Sequence, residues 1–520
     1  MSTQRETPRL ILSLLITLAL VSVGIWWSAG QLPGVHLLSI TGRSGGDRPI
    51  DDLSGDDLSG DDLSTEAIQA RISSGERVLI ADGALPEKQA GTRAIAAGST
   101  HQAVNNLENA LRVNPNDPEA LIYLNNARLA DQKTYTIAVS VPLSHDLNSA
   151  LEVLRGVAQT QNEINQSGGI GGIPLRVLIA DDANRPALAR AIAQSLVNDP
   201  HVLGIVGHCS SEAALAAAPI YEQNGLVAIS PISTSVDLSN AGAYIFRTVP
   251  SNFVAARALA EQMLNQLHQQ RAAVLFDSQN RDSQSLKAEF VTALSLGGGQ
   301  VLREIDLAKP GFSALDSINQ AAQQGATTLV LLPSADELDR ALQVVQVNGG
   351  RFSLLASGEV YSPKTLEIGG SEAVGIIAAV PWHILSDPQS SFGERSRQLW
   401  QGDVNWRTAT AYDAAQALVT ALAVGSTRLG IQQALRSDTF YAPGATGTVR
   451  FLPSGDRNQG VSLVTIQPGS RSGFGFDFVP TGFGISPTEP QPLGVVPNLT
   501  PEITPNLTPR LVADSLKRSL

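Results

Sequence analysis

The chain has 520 residues, 43% apolar and 16% charged, enough apolar side chain for a packed core and enough length for more than one domain. Its net charge of −12 argues against a nucleic-acid partner, because no basic face is available to neutralise phosphates. Cys209 is the only cysteine, so no internal disulfide can form, and the seven histidines show no metal-ligand spacing.

At the amino terminus, Arg5 and Arg9 precede an apolar run from Leu10 to Trp27 whose polar interruptions are only Ser and Thr. That run lies at the short end of membrane-spanning length, and Trp26 and Trp27 suit the membrane–water interface. Positive charge before the span keeps the start cytoplasmic and sends the rest outward. Residues 1–30 therefore read as an uncleaved anchor, with cleavage after the small residues Ser28-Ala29-Gly30 as the alternative. No cysteine follows the run to carry a lipid. Residues 31–65 contain the repeat DDLSGDDLSGDDLS at 51–64. Its period of five fits neither helix nor strand, and its acidic charges repel, so a flexible linker is expected; a calcium site formed by the Asp pairs is the alternative.

Residues 66–131 are helical by pattern. Ala103, Leu107, Ala110 and Pro115 reproduce the spacing of the second helix and turn of a tetratricopeptide repeat. Gly91 falls at the small position of the first helix, and Leu121 and Leu124 start another. One and a half repeats are too few for a continuous core. The segment reads as a spacer or a cap, with partner docking as the alternative.

From 132 to 470 the pattern alternates strand and helix, as in parallel sheets wound by right-handed crossovers. Strands are expected near 135–141, 175–180, 202–206, 226–229, 272–276, 327–332, 352–356 and 374–379. The densest information lies between Ile205 and Ser239. An apolar strand ends there in Ser210 and Ser211, an Ala-rich helix follows, Asn224-Gly225 breaks it, and a second strand ends in the hydroxyl-rich turn Ser230–Ser235. Both turns sit past the carboxyl ends of neighbouring parallel strands, the edge where open α/β sheets bind ligands. Backbone N–H groups at a helix start, joined by Ser and Thr hydroxyls, make a seat for a small carboxylate. Helix capping alone is the alternative role for Ser210 and Ser211.

This stretch resembles the leucine/isoleucine/valine-binding family of periplasmic solute receptors. The resemblance extends to YTIAVSV (135–141), Gly156–Asn165, SGGIGGIPL (167–175), RVLIADDANRP (176–186), Arg247-Thr248-Val249-Pro250, TATAYDAAQALVTAL (408–422) and ATGTVRFLPSGDR (445–457). It covers roughly 134–470, and the order and spacing of these pieces carry it rather than any one motif. It implies an α/β, two-lobed type I periplasmic binding fold. The first lobe is expected from about 135–250 and 383–445, the second from about 251–382 and 446–470, with hinge crossings at Val249-Pro250, Val380-Pro381 and Gly444–Gly447.

The resemblance also implies site residues. Ser211 and Thr234 fall on the hydroxyl residues that bind the ligand carboxylate, with Ile232 and Ser233 supplying backbone contacts. Ser210 replaces Ser211 if the register slips by one. Glu359 resembles the acid that pairs with the ligand ammonium. The family often carries aromatics in three turns where this chain has Ser149, Arg281 or Asp282, and Ser334–Asp336. The pocket is thus more polar than one built for leucine, and Arg281 and Asp282 either select a polar ligand or are solvated. Asn184 and Ser210 stand where some relatives have a disulfide.

Enzyme readings are disfavoured. Gly168–Gly172 follows a helix and precedes a strand, the reverse of a nucleotide fingerprint, and no GxSxG surrounds Ser210 or HExxH any histidine. His208 reads as a pocket-rim or satisfied loop residue. After 470 the chain is Pro- and Gly-rich, with PNLTPEITPNLTP at 497–509, and reads as a tail. The expectation is a solute receptor without cofactor or metal, outside the cytoplasm and held at the inner membrane, or free in the periplasm if cleaved. It would bind an amino acid or related amide and serve the permease subunits of an ABC-type importer. A ligand sensor or a scaffold without transport is the alternative.

Overall fold

The computed structural model describes residues 63–387 and 390–481. The expected anchor at 10–27, the repeat at 51–62 and the end from 482 lie outside the described residues.

The chain builds two sheets. The first has the order β1-β3-β2-β4-β5-β6, from β1 (Ile72–Ser73), β2 (Tyr135–Val141), β3 (Leu175–Asp181), β4 (Val202–Val206), β5 (Val227–Ser230) and β6 (Ile245–Arg247). The second has the order β13-β12-β11-β10-β9-β7-β8. Its strands are β7 (Arg271–Phe276), β8 (Gln300–Asp306), β9 (Thr328–Leu332), β10 (Ser353–Ala356), β11 (Ile377–Val380), β12 (Ser462–Pro468) and β13 (Phe476–Pro480). Pairing is parallel except at β1, β12 and β13, which join antiparallel at sheet edges. Central strands such as β2 and β9 are buried along nearly their whole length, which is why they read as unbroken apolar runs.

All eight expected strands form. The last begins three residues later than expected, at Ile377, because Gly375 takes φ +87° and turns the chain first. The return crossing also differs from expectation. Residues 442–457 pack on the first lobe, held by Arg247–Asp456 at 2.6 Å, by the Phe246 and Phe451 rings, and by Asp413–Arg457. The chain leaves for the second lobe only after Arg457, not at Gly444–Gly447. Likewise β13 lies inside the stretch read as a tail from 471, and closes the outer edge of the second sheet.

Helices at Thr65–Ala70, Pro86–Ala96, Thr100–Val113 and Pro118–Leu129 precede β2. They dock on the first lobe. The helix Pro118–Leu129 is buried on almost every side. Its Asn126 side chain hydrogen-bonds β3 as a strand would, accepting from Val177 N–H at 3.1 Å and donating to Val177 C=O at 2.7 Å. Buried Glu119 gathers Leu79 N–H, the Tyr123 hydroxyl and the Lys88 ammonium, and so ties the preceding loop and helix to the same body. The segment thereby covers the outer edge of the first sheet.

The first lobe depends on a close helix pair, Leu147–Gln166 against Trp406–Val424. A Cβ on Gly156 would collide with the Thr408 carbonyl oxygen and stand 2.6 Å from the Tyr412 nitrogen. Those are backbone atoms of a packed helix, with no flexible side chain to yield. Gly156→Ala is therefore expected to cost about 1–3 kcal/mol by overpacking, outweighing the ~1 kcal/mol that alanine gains in helix propensity. Urea unfolding of the two proteins checks it; equal midpoints would refute the close approach.

Candidate functional site

The two lobes face each other across a cleft that encloses a cavity of about 130 Å³. Side chains from both lobes line it. On the first lobe, the helix Ser211–Gln223 starts directly after β4. Ser210 is its N-cap, accepting from Ala213 N–H at 3.1 Å, so the capping role belongs to Ser210. Ser211 is left to turn inward.

The expected seat is present, and a side chain of the second lobe occupies it. Asp282 lies at the start of the helix Arg281–Leu296, and its carboxylate accepts five hydrogen bonds from the first lobe. Oδ1 takes the Ser211 hydroxyl at 2.6 Å, the Thr234 N–H and hydroxyl each at 2.9 Å, and Ser235 N–H at 2.8 Å. Oδ2 takes Ser211 N–H at 3.2 Å. Asn252 donates to the Asp282 carbonyl at 2.9 Å and fixes the turn that presents it. Three N–H groups and two hydroxyls aimed at one carboxylate are what an anion site at a helix start supplies.

On the second lobe, Glu359 stands in the turn after β10. Arg407, on the first lobe, donates to its Oε2 at 2.7 Å and stacks over the Trp406 ring at 4.3 Å. Burial pushes the Glu359 carboxyl above the usual carboxylate range, Arg407 pulls it back, and the charges of Asp146 and Asp282 push it up again. The net direction is upward. Asp146 itself caps the helix Leu147–Gln166 by accepting from Ser149 N–H at 3.1 Å.

The other expected residues divide. Ile232 lines the cavity, as do Ser149 and Ser334 from the turns that lack aromatics. Ser233 does not reach it: its N–H goes to Ser230 Oγ at 3.1 Å and its hydroxyl to the His208 carbonyl at 3.2 Å. Arg281 is also outside, half exposed, with its guanidinium on Asp237 at 2.8 Å and its N–H on Glu212. That makes Arg281 a bridge between lobes on the outer rim rather than a pocket residue. Asp336 is exposed, 3.9 Å from His145.

A family model described as periplasmic binding protein matches residues 134–471, well over half of the chain. The chain belongs to the periplasmic binding protein family. Among curated relatives, the leucine-, isoleucine-, valine-, threonine- and alanine-binding protein of Pseudomonas aeruginosa is 25% identical over 334 residues, 62% of this chain and 87% of that one. The fold matches a leucine-binding protein from Thermotoga maritima with a TM-score of 0.59 at 22% identity, over 66% of this chain and 98% of that one. It also matches an ABC transporter substrate-binding protein of Desulfitobacterium hafniense in complex with Leu, with a TM-score of 0.58 at 24% identity, over 67% and 100% of the two chains.

Membership of the periplasmic binding proteins makes this chain a solute receptor and not an enzyme, and the geometry around Ser210 agrees. His208 is 1% exposed and turned away from Ser210, with Nδ1 on Asp182 at 2.6 Å and Nε2 on the Tyr221 hydroxyl at 2.9 Å. Burial alone would raise the Asp182 carboxyl, but the hydrogen bond and charge of His208 hold it below the ordinary value. His208 is thus a satisfied residue beneath the site. Among the described residues, no three His, Cys, Asp or Glu side chains gather in a metal-ligating group. Two features of this binding protein are not legible in the sequence: the role of Arg407, and the place of Asp282, a candidate pocket residue, inside the Ser211 and Thr234 seat. Arg407 sits one residue before the helical stretch that carries the resemblance, and Asp282 acts across 71 residues of chain on Ser211.

Proposed function

We propose that this chain is an extracytoplasmic receptor for a small nitrogen-bearing molecule of the amino-acid and amide class, delivering it to the permease of an ABC-type importer. The observation that carries the reading is the cleft itself. An anion seat built from Ser211, Thr234 and Ser235 faces an acid, Glu359, on the opposite lobe. A ligand held between them, or beside a side chain that bridges them, favours the closed form over the open one. The apolar run Leu10–Trp27 supports attachment to the inner membrane, with the receptor on the outer side.

Thermal unfolding of the full chain against amino acids, amides and amines tests it. A ligand at 100 times its Kd adds about 2.7 kcal/mol, a rise of a few degrees for a protein of this size. Ser211→Ala and Thr234→Ala each remove one hydroxyl hydrogen bond to the Asp282 carboxylate that bridges the lobes, worth about 1.5–3 kcal/mol, and by loosening the closed cleft are expected to weaken the ligand about tenfold or more. A panel in which nothing shifts the midpoint would refute the receptor reading.

A further inference from the structure

Asp282 fills the place where a ligand's own carboxylate would lie. We propose that it replaces that carboxylate permanently, so that the cleft selects a small amine lacking a carboxylate over the corresponding amino acid. The inference rests on the receptor reading above and narrows its ligand.

Three observations point the same way. First, the seat is saturated. Asp282 uses the Ser211, Thr234 and Ser235 N–H groups and both hydroxyls, leaving no donor in the seat for a second carboxylate. An incoming carboxylate would instead meet Asp282 at close range. Two unit charges at about 4 Å in a partly buried site repel strongly enough to weaken binding on the order of a thousandfold.

Second, the space that remains carries acidic, hydroxyl and amide side chains together with an apolar wall. Asp146, Asp282 and Glu359 line it, and among the described residues lining it there is no lysine or arginine. Arg407 engages one oxygen of Glu359 from outside the cavity lining. The rest of the wall includes Ile232, Leu286, Leu332 and Trp406. The Ser357 hydroxyl, two residues from Glu359, is buried with no hydrogen-bond partner, and Ser357 lines the same cavity. A buried polar atom left unpaired is a place for a ligand group. An ammonium satisfies the hydroxyl and the acids together, while its apolar body meets the hydrophobic wall.

Third, the volume agrees. About 130 Å³ suits a body of roughly benzene size, some half-dozen heavy atoms. Branched aliphatic amines fit that limit once the carboxyl atoms are taken away.

The test is calorimetric titration and thermal unfolding of the full chain with matched pairs: leucine and isopentylamine, valine and isobutylamine, threonine and 1-aminopropan-2-ol. Each amine is its amino acid without the carboxyl group. The wild-type protein is expected to bind at least one amine, and to bind its partner amino acid at least 100-fold more weakly. Asp282→Ala empties the seat and is expected to reverse the order, gaining the amino acid. Asp282→Asn keeps the side-chain size, removes the charge and turns one accepting oxygen into a donating NH2, and is expected to weaken the amine. Wild-type protein that prefers the amino acid overturns this inference and leaves the receptor reading standing. So does amino-acid binding by Asp282→Ala when the wild type binds no amine. Silence from every ligand in wild type and variants alike overturns the receptor reading instead. The wild-type comparison decides the matter even if a variant fails to fold.

Discussion

Replacing Arg457 with methionine is expected to remove about 3–5 kcal/mol of folding stability at neutral pH. Arg457 and Asp413 are both fully buried, with Nη2 to Oδ2 at 3.4 Å. The guanidinium also reaches the Thr446 hydroxyl at 3.0 Å and, through Nε, Gln459 at 2.8 Å. Asp413 accepts from Ala445 N–H at 2.5 Å and from the Thr446 hydroxyl, so the pair binds the segment 442–457 to the helix Trp406–Val424. Burial raises the Asp413 carboxyl even with its partner present. Without Arg457 the charge is stranded, and removing one member of a buried pair costs far more than the pair contributes intact. The loss should shrink as pH falls, because a protonated Asp413 no longer needs a cation. Asp413→Asn combined with Arg457→Met should recover part of it. Urea unfolding at pH 8 and pH 5 measures both effects; a loss under about 1 kcal/mol at pH 8 would refute the buried charge.

The second large effect is acid sensitivity from His383. It is 2% exposed, and its Nδ1 accepts from Leu385 N–H at 3.1 Å, a bond that requires an unprotonated nitrogen. Burial, and then the nearby Arg471 charge, lower its pKa to about 4. In the unfolded chain the value returns to about 6.5. Between those values the unfolded state takes up a proton that the folded state refuses, so stability falls as pH drops from 6.5 to 4 and levels off below. At about 1.4 kcal/mol per unit the total is about 3 kcal/mol. Glu359 and Asp413, both raised, slope the other way, so the comparison must be with a variant. His383→Asn is expected to lose most of the wild-type fall between pH 7 and pH 4.5. An unchanged difference between those two pH values would count against the assignment.

Strands buried on both faces were legible, because burial demands apolar runs: YTIAVSV and TLVLL announce themselves. The strands that escaped are edge strands or, like β12 beside the edge strand β13, only partly buried. β8 (QVLREID) is at best half-buried along its length, β6 has three residues, and β12 and β13 alternate without a long apolar run. Edge strands can afford polar residues, so composition does not mark them. In the cleft, Ser211, Thr234 and Glu359 were placed by local pattern and resemblance. Asp282 reads from sequence as a residue standing where an aromatic is usual, able to select a polar ligand, and nothing local marks it as the occupant of the seat. Its contact with the seat depends on how two lobes meet, which no local pattern contains. The same applies to Arg281, whose partners Asp237 and Glu212 lie on the other lobe.

The docked helical segment has a mechanical consequence. The helix Thr65–Ala70 and β1 are pinned to the first lobe, whereas β13 is the outermost strand of the second. The two ends of the described chain therefore ride on different halves of the clam. A fluorescent donor at Leu63 and an acceptor at Thr481 form a ruler laid across the hinge. Opening and closing become a distance change that can be followed in real time, on the intact protein and without knowing the ligand.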